Sequence, residues 1–423
     1  QTNLTSERFI ERIHSLLHCF YFYSSLLQDF WKNMLKFKWL LRADGPKCAR
    51  FYSAKVGRIL KNSKVASSMH INELKSIDQS QQPIIECRDK KYLAGSTSKN
   101  FPKTLPIYLH NEFKAIELSN QHNNILDIGA NLRPILDDIF NHENKSAVLI
   151  KNLPITKTDH FHDFMKGCDY QPMTYESGSA YRASVNDLVY SASDEPPEFS
   201  IEPHNEMSYL SQFPQKIIFC CLSKASFGGE SPIVFNRDLI KQLDSNIFDK
   251  FRTKGIRYSR NLKHQNNTNY ITWQNTFFTD NKKEAENKME NQGFEWKWKS
   301  NGDVTIWYQL PAFFTQPHSG EEIWFNQATA NHCTYYKSHP MFEGKEDLPP
   351  SEYPYHCCYG DGEEIEDDVI DHIRSVMWRN AMSLALFPGD VLILDNLLCQ
   401  HSRIGYEGGE RKVVVFLGEP INR

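Results

Sequence analysis

Residues 202–237, EPHNEMSYLSQFPQKIIFCCLSKASFGGESPIVFNR, decide how this chain is read. His204 and Glu206 stand two apart in a run with strand character, where alternate side chains project to one face, so both can reach a single metal ion. An apolar strand, Lys216–Leu222, follows, then a Gly228-Gly229 turn and a further strand, Ser231–Asn236. Working outward, residues 388–419, PGDVLILDNLLCQHSRIGYEGGERKVVVFLGE, place His401 on one strand and Arg411 on the next. Two histidines and one carboxylate on one side of a metal leave its other positions open. That donor set belongs to oxygen-activating iron(II) centres.

The triplet alone is weak evidence. With 16 His and 52 acidic residues, chance yields about two such spacings. One is present: His110, Asn111 and Glu112 repeat the same HNE. It lies ahead of the first core strand, Ser146–Ile155, and lacks the strand, Gly-Gly turn and strand that follow His204. Context separates the two.

The full set of markers is PHNEMSY (203–209), GGESPI (228–233), WFNQA (324–328), GDVLILDN (389–396) and HSR with ERK (401–412). Together they resemble the taurine dioxygenase-like, clavaminate synthase-like iron(II)/2-oxoglutarate oxygenases, in the branch that carries HxE, over residues 146–420. The resemblance implies a fold that is mainly β with flanking helices, a double-stranded β-helix (jelly-roll) barrel. It implies His204, Glu206 and His401 as ligands of Fe(2+), with 2-oxoglutarate as cosubstrate and O2 as oxidant. Arg411 then grips the distal carboxylate of 2-oxoglutarate through two parallel hydrogen bonds, which lysine cannot reproduce. Ser231 takes the place of a Thr or Ser hydroxyl on the same carboxylate. Arg403 competes with Arg411 and, by analogy, faces substrate. Arg182, Trp324, Asn326 and Gln327 fall in segments that line the pocket in relatives, with Trp324 in core packing. Asn205 and Met207 face the other way.

The implied reaction is oxidative decarboxylation of 2-oxoglutarate to succinate and carbon dioxide, coupled to hydroxylation of a small amino-acid-like or carboxylate substrate. A carboxylate at position 206 argues against the halogenating relatives. Carnitine-pathway relatives carry HxD and an N-terminal zinc module, and residues 71–145 contain only Cys87. Two other classes remain open. A zinc hydrolase can use the same three ligands, but HExxH is missing. A non-catalytic binding protein with a relic metal site would show Phe313 or Phe314 filling the pocket.

Composition sets bounds. A length of 423 residues, 40% apolar and 13% aromatic, supplies a large core. Net charge −4 favours neither nucleic acid nor an anionic membrane. The ten Cys show no CxxC and no framework spacing, which points to reduced, buried thiols in an intracellular compartment. Nothing sets an oligomeric state.

Residues 1–70 read as a leader outside the folded domain, which occupies 71–423. The chain opens on Gln1, so a fragment, a processed form or a translated upstream region is expected. Ile13–Leu27 is apolar but short for a membrane span. Between Met34 and Asn72 stand nine Lys/Arg against the single acid Asp44, and Arg50-Phe51-Tyr52-Ser53 looks like a cleavage site. This is the chemistry of a mitochondrial presequence, with Met34 as a candidate start. A basic leader on a cytoplasmic protein is the alternative.

Within the domain, Asn111–Leu118 and Leu132–Asn141 read as short helices, and His160–Cys168 as a helix opening after Thr158-Asp159. His160 and His162, two apart on a helix, point to different faces and suit solvent. Ser208–Leu210 reads as a strand and Asp238–Arg252 as a helix. Residues 265–301 are polar, fitting an insertion or lid. Val304–Leu310 and Glu322–Gln327 read as strands. The acidic run Gly360–Asp368 lacks calcium-loop spacing and leads into a helix, Val369–Trp378, whose dipole it suits.

Overall fold

The apolar run after His204 forms the long strand Gln212–Ser223. It is covered on both faces, so its hydrophobic residues are nearly continuous rather than alternating. The computed structural model describes residues 71–74, 82–106, 108–119, 124–173, 188–193, 195–268, 271–317 and 319–423. The expected leader and mitochondrial address fall on residues 1–70, outside the described residues, as does Arg182.

Gln212–Ser223 lies between Val391–Asp395 and Lys412–Asn422, antiparallel to both. Ala147–Lys151, Phe113–Leu118 and Ile71–Glu73 extend the sheet beyond the first, and Tyr190–Ser191 closes the far edge, giving seven strands. Ile217, Phe219, Leu392, Leu394 and Val415 share a core with Ile233, Phe235 and Cys399. Those last three belong to a three-stranded sheet of Ile201–His204, Cys399–Arg403 and Ile233–Phe235. The intervening residues Ile218, Cys220, Ile393, Val414 and Phe416 pack instead with Ile128, Leu132, Leu136, Phe161 and Phe164. These come from the helices Ile125–His142 and Thr158–Cys168. The period-two alternation thus divides one sheet between an inner core and a helical outer layer. Among the described residues the strands form five sheets rather than one closed barrel.

Several local expectations change. Phe113–Leu118 is a strand, not a helix, and runs parallel to Ala147–Lys151. Its Phe113, Ala115, Ile116 and Leu118 are buried, and parallel pairing needs a long crossover, which the helix Ile125–His142 supplies. Ser208–Leu210 is a turn. Asp238–Arg252 divides into Asn236–Gln242 and Ser245–Lys254, because Asp244 accepts hydrogen bonds from Asn246 N and Ile247 N and starts a second helix. The polar stretch 265–301 is folded, with helices Trp273–Phe277 and Lys282–Asn291 and the strand Glu295–Trp298. Trp273, Phe277, Ala285 and Met289 give it a small core with Val304 and Ile306. It extends a four-stranded sheet with Val304–Leu310, Ile256–Leu262 and Tyr355–Tyr359.

The helix near the acidic run spans Asp367–Arg379, with Asp367 and Asp368 in its first turn. Asp361 and Glu363 pair with Lys254, so the run is a surface ion-pair network. The eight described cysteines are buried and free, and burial raises their thiols, Cys221 to about 11. No described helix is long and apolar enough to cross a membrane.

Candidate metal centre and its cavity

His204 ends the strand Ile201–His204, directly opposite His401 of Cys399–Arg403 in antiparallel register. Opposed residues in such a pair project to the same face. Glu206 is not on that strand: the chain turns at Glu206–Tyr209, and Met207 adopts φ +56°. Strand alternation therefore does not bring Glu206 to His204. Buried carboxamides do.

Asn396 brackets Glu206, accepting from its backbone N at 2.7 Å and donating to its carbonyl at 2.9 Å and to that of Pro214 at 2.8 Å. Asn205 donates to the carbonyls of Asn396 and Cys399. Asn236 donates to the Asn205 side chain, and Gln327 to its backbone carbonyl. Asn396→Ala orphans three buried backbone groups, each worth about 1–3 kcal/mol. It is expected to lower stability by about 3 kcal/mol or more, measured as a shift of the urea midpoint at constant slope.

The three side chains converge. His204 Nε2 and His401 Nε2 lie 3.7 and 3.6 Å from the same Glu206 oxygen. The ligand atoms all fall within 4.8 Å of one another. His204 Nδ1 is 2.8 Å from the Glu202 carbonyl. A carbonyl only accepts, so Nδ1 carries the proton and Nε2 turns its lone pair toward Glu206. His401 packs its ring on Phe219. Metal–nitrogen and metal–oxygen bonds run to about 2.0–2.2 Å, so donors this close can share one ion. Two neutral nitrogens and one carboxylate fit iron(II).

Both histidines open onto a cavity of about 120 Å³ that Ser231, Arg403 and Arg411 also line. Phe227–Gly228 pairs with Tyr406–Glu407, which brings the Gly-Gly turn beside Arg411. A Cβ at Gly228 would stand 2.2 Å from the Gly405 carbonyl, and one at Gly229 would stand 2.9 Å from Arg411 Cδ, so both positions require glycine. Arg411 donates through Nε to the Gly229 carbonyl at 2.9 Å and through Nη2 to Ser231 Oγ at 3.4 Å. Burial, helped by nearby Arg403, pulls its pKa down to about 10. It remains a cation at neutral pH, with N–H groups to spare for an anion.

The remaining candidates separate. Arg403 donates to the carbonyls of Glu195, Pro196 and Phe199, so it fastens a loop rather than presenting a free guanidinium to substrate. Gln327 lines the cavity. Asn326 caps Ala328 N, and Trp324 packs on Phe251 and Phe313. Met207 is core and Asn205 is buried in the carboxamide cluster. Neither Phe313 nor Phe314, nor any described residue of 265–301, lines the cavity. In the second HNE, His110 pairs with Asp238 and Glu112 with Arg237. Neither is free for a metal. His160 and His162 are half-buried and belong to no metal-competent group.

Sequence reasoning missed a second cluster, His332, Cys333 and His356, all buried. Both imidazoles already have partners: Cys333 N donates to His356 Nδ1, His356 Nε2 meets Glu364 at 2.8 Å, and His332 Nδ1 meets Thr334. Burial, with His356 and Arg374 nearby, lowers His332 to about 3, so it is neutral. The adjacent His332-Cys333 pair was the available signal.

The family model "Taurine catabolism dioxygenase TauD, TfdA family" matches residues 113–417, beginning at the strand Phe113–Leu118. The chain belongs to this family and is an oxidoreductase of the dioxygenase class. The dapdiamide synthesis protein DdaC of Enterobacter agglomerans is 31% identical over 293 residues, 68% of this chain and 88% of that protein. A clavaminate synthase-like protein of Arabidopsis thaliana is 26% identical over 283 residues, 65% of this chain and 82% of its own. Among solved structures, PvcB from Pseudomonas aeruginosa is 12% identical, covers 83% of this chain and 91% of its own, and has a TM-score of 0.42.

Proposed function

We propose that this chain is an iron(II)- and 2-oxoglutarate-dependent oxygenase that hydroxylates a small amino-acid-like or carboxylate substrate. His204, Glu206 and His401 hold the metal, and Arg411 and Ser231 hold the cosubstrate. The observation that carries the reading is the convergence of two Nε2 atoms on one Glu206 oxygen, beside a cavity that also contains a cationic Arg411. The two core-sharing sheets support a double-stranded β-helix as the scaffold.

Iron(II), when bound, supplies the redox chemistry that couples decarboxylation of 2-oxoglutarate to oxidation of a C–H bond. The protein's part is orientation. The Glu202 carbonyl fixes the His204 tautomer, and Asn396 fixes the turn that presents Glu206. Arg411, steadied by Gly229 and Ser231, offers its free N–H groups to a carboxylate in a water-poor pocket, where charge-assisted hydrogen bonds are strong. Phe219, Leu392 and Val413 supply apolar wall.

The test is an anaerobic titration of the full chain with iron(II) and 2-oxoglutarate, following the visible metal-to-ketoacid charge-transfer band. A band is expected. Arg411→Ala is expected to weaken 2-oxoglutarate binding roughly thirtyfold or more, since truncating a buried hydrogen-bonded charge costs about 2 kcal/mol at least. Iron binding without a band would move a metallohydrolase or a relic binding protein to the front.

A further inference from the structure

We propose that the substrate carries a protonated amine and that the Glu195 carboxylate binds it; the proposal rests on the oxygenase reading above and narrows its substrate class. Apart from His204 and His401, the charged side chains lining the cavity among the described residues are Arg411, Arg403 and Glu195. Arg411 is turned to the Gly229–Ser231 corner. Arg403 has the partners of its four Nη donors already in the loop. Its Nη atoms donate to the Ser193 hydroxyl and to the carbonyls of Glu195, Pro196 and Phe199. Its Nε is buried without accessible surface. What Arg403 does is clamp the loop that bears Glu195.

Glu195 is a built anionic group. His339 Nδ1 accepts from Met341 N at 3.1 Å, so the imidazole can be neutral with its proton on Nε2, which donates to Glu195 Oε2 at 3.0 Å. Phe199 packs edge-on against that ring and holds it in place. A neutral imidazole orients the carboxylate without cancelling its charge. The other oxygen, Oε1, has no hydrogen-bond partner among the described residues.

The neighbouring wall asks for a donor too. Gln327 donates through its amide to the Asn205 carbonyl and Asn331 through its own to Gln327, which leaves Asn331, a cavity-lining residue, its side-chain oxygen as an acceptor. Tyr335 adds an aromatic surface, which favours a cation over an anion. A substrate carboxylate here would meet the Glu195 charge, and Arg403, the cation beside it, has its Nη donors turned to the loop. An ammonium group would meet Glu195 Oε1 and the Asn331 oxygen.

The full chain is loaded anaerobically with iron(II) and 2-oxoglutarate, and the charge-transfer band is recorded. The twenty protein amino acids are then added singly, each beside its N-acetyl and des-amino counterparts, and band shifts are followed. At least one free amino acid is expected to shift the band while its two counterparts do not. Glu195→Gln is expected to keep the band but to weaken that response about tenfold or more, the effect of losing one charge-assisted hydrogen bond. Glu195→Asp should retain part of it. The proposal is overturned if the counterparts act equally, if Glu195→Gln responds like the parent, or if no amine shifts an intact band. A parent chain that never forms the band sinks the oxygenase reading and this proposal with it, a result distinct from the other three.

Discussion

His401→Ala is expected to bring turnover to background and to weaken iron(II) binding by more than the roughly 10–100-fold that loss of an outer partner costs a metal site. His401 is the proposed ligand on the middle strand. It faces His204 across one neighbour and Ile233 across the other, and its Nε2 lies 3.6 Å from Glu206. These pairings use backbone atoms, so the strand should survive removal of the imidazole. Retained circular dichroism with lost iron binding, measured by anaerobic titration, is the expected pair of results. Full iron affinity in His401→Ala would remove the proposed centre outright.

Arg374→Met carries the largest expected effect on stability, about 3–5 kcal/mol, as for a buried ion pair broken on one side. Arg374 and Glu202 are 1% and 0% exposed and bonded to each other. The guanidinium also donates to Thr334 Oγ1 at 2.7 Å and the Thr329 carbonyl at 2.9 Å. Burial already raises the Glu202 carboxyl pKa, with Arg374 the main opposing influence. Without Arg374 it rises further, and the folded state then binds a proton that the unfolded state gives up. The variant's deficit should be larger at neutral pH and shrink as pH falls, until Glu202 is protonated in the folded parent as well. Urea unfolding at two pH values checks this, and Glu202→Gln added to Arg374→Met should restore part of the loss. A deficit under about 1 kcal/mol, the worth of an exposed pair, or one indifferent to pH, would refute the assignment. Iron affinity should fall as well, because the Glu202 carbonyl orients His204.

What the sequence made legible was the chemistry carried by rare side chains at fixed spacing. His204, Glu206, His401, Ser231 and Arg411 do come together, and the strand, Gly-Gly turn and strand after His204 separate it from the copy at His110. The means of assembly was less legible. Glu206 reaches the site through a turn, because Asn396, nearly two hundred residues downstream, satisfies its backbone. No local pattern announces such a partner. Phe113–Leu118 has helix-compatible residues, yet the open edge of Ala147–Lys151 recruits it as a strand. Tertiary pairing overrides local propensity there. Arg403 and Glu195 are likewise ordinary charges until the loop between Ser193 and Phe199 gives them direction.

The register between His204 and His401 has a consequence in time. The two imidazoles are immediate neighbours across a strand pair, yet about two hundred residues separate them along the chain. During synthesis, a ribosome adding roughly 5–20 residues per second delivers the second histidine some ten seconds or more after the first. Until then His204 and Glu206 offer an ion only two of the three ligands. Metal capture by the whole proposed triad would thus come late in the life of the nascent chain, and a polypeptide stalled before Cys399 would carry an unfinished, weakly chelating half-site.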